Sequence, residues 1–157
     1  MECSIAMCGS LTTRTILIVD DELALLKLLK ALLDGAGFHV LIAGSAFDAI
    51  EMCRRTKIDL LLVEFGMPDL RGPELARSAA RFAPDAKVLF MSGSDGKSLS
   101  STEFSWLECG ILQKPFSPAD LLNAVDAALD LFSAGTDSHP NAASVTCHYR
   151  SAKGATV

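Results

Sequence analysis

No excess of positive charge runs through this chain. Lys and Arg number 14 against 19 Asp and Glu, a net charge of −5 over 157 residues. That gives no electrostatic reason to expect direct contact with nucleic acid or an anionic membrane. Nor is there a long hydrophobic run. The longest apolar stretch, around Leu23 to Leu33, is interrupted by Lys27 and Lys30 and is too short and too charged to span a bilayer. The opening "MECSIAMCGSLTTR" has no basic n-region and no sustained apolar core, so a secretory leader is not expected. No C-x-x-C pair and no internal repeat occurs. The five cysteines (Cys3, Cys8, Cys53, Cys109, Cys147) are odd in number and scattered, which suits reduced cytosolic thiols. The three histidines do not stand at metal-ligand spacing to them, and two (His139, His148) fall near the C-terminus.

What is present is a globular composition, 50% hydrophobic and 21% charged, in a length that suits one domain. "TILIV", "FHVLIA", "DLLLV", "KVLFM" and "GILQ" are short apolar runs that read as strands buried on both faces. Between them lie amphipathic stretches. "DELALLKLLKALLDGAG" should end at Gly35 or Gly37. "SAFDAIEMCRRT" has Ser45 as its cap, and "GPELARSAARFA" carries Pro73 in its first turn. After the fourth strand, "SGSDGKSLSSTEFSWLECG" is Ser-rich and predicts a short or mobile helix. The last helix, "SPADLLNAVDAALDLF", has an apolar stripe from Leu121 to Phe132. Ser117 caps it, with Pro118 first and Asp120 completing an approximate capping box.

Five strands alternating with helices predict an α/β three-layer sandwich, a flavodoxin-like (βα)5 unit whose parallel five-stranded sheet has order 2-1-3-4-5. The domain should span residues 14–132. Residues 1–13 and 133–157 lack periodicity and read as disordered extensions. Met1 and the absence of a helical lead-in favour a free-standing chain over one severed from a longer protein.

In such sheets, function gathers beyond the C-terminal ends of the strands. There stand Asp20 and Asp21 after strand one, Glu64 at the end of strand three, Ser92 at the end of strand four, and Lys114 with Pro115 after strand five. Three carboxylates that close need a cation or a proton. Oxygen donors alone favour a hard ion, Mg²⁺ first. A metal, an ammonium and a hydroxyl together are what a PO₃ group needs around its oxygens. Taken singly, each residue has a plainer reading: a helix cap, a surface lysine, a Ser-Gly turn, a carboxylate at a loop mouth. Their joint placement at the right strand ends points to a phosphoryl site.

"ILIVDDE", "DLLLVEFGMPDLRG", "VLFMSGS" and "ILQKPFSPADLLNAV" together resemble the receiver domain of two-component response regulators, with wording similar to receivers of hybrid sensor histidine kinases. The resemblance covers about Arg14 to Phe132. It implies a phosphorylation-type switch with Mg²⁺ as cofactor, and a histidine kinase or histidine phosphotransfer protein as partner. The downstream effector is not readable. Asp20 and Asp21 match the family's acidic pair, with Asp21 the direct metal ligand. The backbone carbonyl of Gly66 would be a further ligand beside Glu64. Ser92 matches the hydroxyl that holds the phosphoryl group, Lys114 the lysine, and Pro115 a cis linkage. The face of the fourth helix, fifth strand and fifth helix would serve for output or for a homodimer.

Two positions depart from the family. Glu64 stands where the phosphoacceptor is an aspartate. Its extra methylene moves the carboxylate by ~1.5 Å or less, an error that can cost on the order of a hundredfold in rate. The longer arm reaches toward Ser92 and Lys114, where a phosphoryl group's oxygens would sit. Glu64 would then be a non-phosphorylatable or phosphomimetic residue in a cytoplasmic binding module, not an enzyme. The alternatives are an ordinary receiver using Glu64 as acceptor, a flavodoxin-like cofactor binder or small phosphatase, and a structural domain with a vestigial site. The second departure is Ile111, where a switching Tyr or Phe is usual.

Overall fold

The computed structural model describes residues 13–93 and 109–129. In chain order they form β1 (Thr15–Val19), α1 (Leu23–Gly35), β2 (His39–Ala43), α2 (Ala46–Arg55), β3 (Leu60–Glu64), α3 (Gly72–Ala79), β4 (Lys87–Ser92), β5 (Cys109–Gln113) and α4 (Pro118–Ala128). The helix expected between β4 and β5, the expected extensions and Phe132 lie outside the described residues. The five strands pair in parallel in the order β2-β1-β3-β4-β5, as the alternation of elements predicted.

The strands are apolar at nearly every position because the sheet is covered on both faces. Side chains alternate along a strand, and here they sort into two cores. Ile16, Ile18, Leu60, Leu62, Leu89, Met91 and Leu112 pack with Leu26, Leu29 and Leu33 of α1 and Leu121, Ala124 and Val125 of α4. Leu17, Val19, Leu61, Val63, Val88 and Phe90 pack with Ala46, Ala49 and Cys53 of α2 and Leu75, Ala76 and Ala79 of α3. The result is three layers, with α1 and α4 on one side and α2 and α3 on the other.

The helix ends follow local chemistry. Ser45 accepts a bond from the Asp48 N–H at 3.1 Å. Ser117 and Asp120 form a full capping box. Gly37, with φ of 95°, carries the chain out of α1 in a conformation that other residues adopt at a cost. The α3 helix is shorter than its sequence pattern, ending at Ala79 before the expected Ala83.

Gly72 starts α3 in a tight place. A Cβ there would lie 3.0 Å from the Glu64 carbonyl oxygen and 3.1 Å from the Phe65 Cα and the Phe90 ring. Two of these neighbours are backbone atoms and cannot rotate away. Gly72→Ala is therefore expected to destabilise the domain by about 1–3 kcal/mol, read as a lower urea midpoint. An unchanged midpoint would mean that this loop is not tightly packed.

Candidate functional site

The rim beyond the strand C-termini is built by strand period. Asp20 continues the side of β1 that carries Ile16 and Ile18. Glu64 continues Leu60 and Leu62, and Lys114 continues Leu112. All three therefore fall on the α1/α4 side, and their side chains meet. The Lys114 Nζ donates to Glu64 Oε2 at 2.5 Å and to Asp20 Oδ2 at 3.3 Å. Lys114 is itself placed by its backbone, whose N–H donates to the Ser92 carbonyl at 2.8 Å. The Lys114–Pro115 peptide is cis.

Each carboxylate has a second partner. Asp20 Oδ1 accepts from the Glu22 N–H at 2.8 Å, and Glu64 Oε1 accepts from the Gly66 N–H at 3.2 Å. Asp20 is only 2% exposed. Burial holds its carboxyl above the usual aspartate range despite the Glu22 N–H and Lys114. For Lys114, burial pulls the other way. The bond to Glu64 and the charges of Glu64 and Asp20 outweigh it, and its pKa is raised.

Ser92 is buried at the end of β4, 4% exposed and in register with Gln113. Ile111 pairs with Phe90 and packs, partly buried, against the α2/α3 core. Asp21 lies in the bend after β1 and is exposed.

Among the described residues no group of three Asp, Glu, His or Cys side chains is arranged to hold a metal ion, and the Lys114 ammonium stands between Asp20 and Glu64. The donor chemistry still fits a hard divalent ion: a buried Asp20 carboxylate, the exposed Asp21 carboxylate and the Gly66 carbonyl are all oxygen donors. These are the residues that would hold Mg²⁺, which when bound would neutralise charge on phosphoryl oxygens.

Two residues of this region were not singled out in the sequence. Asp69 Oδ2 accepts from the Ala46 N–H at 2.8 Å, tying the loop after β3 to the start of α2. Gly72 closes that loop, its N–H donating to the Phe65 carbonyl at 3.1 Å. Asp-x-x-Gly after Met-Pro is turn chemistry, which signals a loop but not the partner Asp69 finds 23 residues upstream.

Comparison with known proteins agrees with this geometry. The family model described as "Response regulator receiver domain" matches residues 16–126. The chain belongs to the response regulator receiver family. It is similar to the response regulator receiver protein CpdR of Brucella abortus (strain 2308), 31% identical over 116 residues, covering 74% of this chain and 97% of that one. It is also 30% identical over 118 residues to the sensor kinase CckA of the same organism, covering 74% of this chain but 12% of the kinase. Among solved structures, a CheY-like receiver domain protein from Methanospirillum hungatei JF-1 superposes with a TM-score of 0.68 at 31% identity, covering 76% of this chain and 96% of that one. The chain is thus a receiver domain of two-component signalling with the flavodoxin-like fold. Receiver domains are generally non-catalytic signalling modules and typically bind Mg²⁺. No helix among the described residues is long and apolar enough to cross a membrane.

The lysine's raised pKa has a consequence for stability. Its contribution is fully present below its ordinary value of 10.5 and is lost as pH rises through the higher folded value. Lys114→Met should cost on the order of 2 kcal/mol at neutral pH, because it leaves charged acceptors unpaired. The gap between the two proteins should close above that ordinary lysine value. Urea melts of both from neutral to strongly alkaline pH check this; a gap that does not narrow would place the loss in packing and not in charge.

Proposed function

We propose that this chain is a receiver whose switch is held by a fixed charge, with Glu64 standing at the acceptor position and not itself phosphorylated. The contact of Lys114 Nζ with Glu64 Oε2 at 2.5 Å carries this reading. An attacking carboxylate oxygen must bring a lone pair to phosphorus. Here each Glu64 oxygen already accepts a bond, one from the ammonium and one from the Gly66 N–H, which lowers its nucleophilicity and holds it in place. The lysine that would steady a phosphoryl oxygen is already engaged. A carboxylate is planar with one negative charge, whereas a phosphoryl group is tetrahedral with nearly two, so Glu64 imitates the phosphorylated state in part.

In this reading Asp20, Asp21 and the Gly66 carbonyl hold Mg²⁺, and Ser92 supplies the hydroxyl beside the anion. The domain works in the cytoplasm as a binding module, not as an enzyme. It engages a histidine kinase or histidine phosphotransfer protein, and an effector protein, through its surface. Sensor kinases and transcriptional regulators among its relatives support partners of that kind.

The test is intact mass after incubation with acetyl phosphate and Mg²⁺, for the native chain and for Glu64→Asp. In Glu64→Asp the shorter carboxylate bonds to phosphorus as the bond to the acetyl oxygen breaks, and acetate leaves. That variant should gain one phosphoryl group and the native chain none. A gain by the native chain that Glu64→Gln abolishes would make glutamate a working acceptor and overturn the reading.

The metal assignment has its own check. Millimolar Mg²⁺ should shift the amide resonances of Asp20–Glu22 and Gly66, and Asp21→Asn should weaken binding by at least about tenfold. Equal binding by native chain and variant would remove Asp21 from the metal site.

A further inference from the structure

We propose that Asp69 is a positioning residue through which the bonding state of Glu64 reaches the first turn of α2. The proposal rests on the fixed-charge reading of Glu64 and adds where that charge is felt.

The loop from Phe65 to Arg71 is pinned at both ends. Phe65 donates its N–H to the Met91 carbonyl at 2.8 Å and accepts from the Gly72 N–H at 3.1 Å. Its ring packs edge-on against Phe90, with centroids 6.0 Å apart, and the Arg71 guanidinium lies over its face. Met67 is buried in the α2/α3 core. So short and anchored a loop has little freedom to absorb a change locally. Within it, Gly66 is held by the Glu64 carboxylate, and three residues on Asp69 holds the Ala46 N–H.

Ala46 is the first residue of α2, and its amide is one of those a helix cannot satisfy by itself. Ser45 caps the Asp48 amide locally. The Ala46 amide instead takes its partner from a different loop, and the carboxylate also suits the positive end of the helix dipole. One element thus bonds the Glu64 carboxylate at one end and the α2 N-terminus at the other. It makes that turn, with Phe47 72% exposed beside Ala46, the part of the surface that responds to Glu64.

Residue-resolved amide exchange on the full chain tests this as a double-mutant cycle. Glu64→Ala should raise exchange about tenfold at Gly66, the scale of a lost charged hydrogen bond, and also severalfold at Ala46. Glu64→Gln, which keeps the side chain's shape, should do the same more weakly. In an Asp69→Ala background the Ala46 amide should already exchange fast, with Glu64→Ala adding nothing there. Asp69→Asn, which retains an acceptor oxygen, should restore the coupling in part. If Glu64→Ala frees Gly66 but not Ala46, or frees Ala46 equally with and without Asp69, the relay is wrong while the fixed-charge reading stands. If Gly66 itself is unaffected, its bond to Glu64 is absent and the relay falls, while the fixed-charge reading is judged separately by the phosphoryl-mass test.

Discussion

The Lys114 ammonium between Asp20 and Glu64 is the interaction on which the rest of this rim depends. It joins the C-terminal ends of β1, β3 and β5 through one positive charge. Asp20 is almost wholly buried, and a buried carboxylate without a counter-charge is costly. The lysine stem is 26% exposed and the Glu64 side chain 14%, so solvent screens this pairing less than on an open surface. The lysine's own position comes from the sheet, through its N–H on the Ser92 carbonyl.

Glutamate changes what such a site can do. With an arm one methylene longer, a carboxylate at the end of β3 meets the ammonium directly, and its other oxygen settles on the backbone two residues on. One ammonium then balances part of the charge of two carboxylates from within. An aspartate at that position would be shorter and freer to react. In the proposed reading, the extra carbon exchanges a reactive group for a standing ion pair whose carboxylate also bonds the Gly66 N–H in the loop behind it.

Much of this was legible before folding. The apolar runs announced a sheet buried on both faces, and the alternation with helices left few topologies. Ser45, Ser117 and Asp120 were readable as caps because capping is local chemistry. The site residues were readable because strand ends converge in a parallel sheet. Asp20 and Asp21 differ in exposure: β1 ends at Val19, Asp20 is 2% exposed, and Asp21 lies at the surface in the bend that follows. The Asp69 bond was not available in that way, since it joins residues 23 positions apart that no pattern links.

The sequence by itself determined the element types, the two-sided core, the sheet order and the identity of the groups at the rim. These depend on hydrophobic period, turn chemistry and handed crossovers, which act along short stretches of chain. Only the tertiary structure decided which of those groups bond to one another: that Lys114 lies on both Asp20 and Glu64, that Gly66 takes the second Glu64 oxygen, that Asp69 reaches Ala46, and that Gly72 has no room for a side chain. A contact between strand ends depends on parity, twist and reach to within an ångström. Those quantities exist only once the whole sheet has formed.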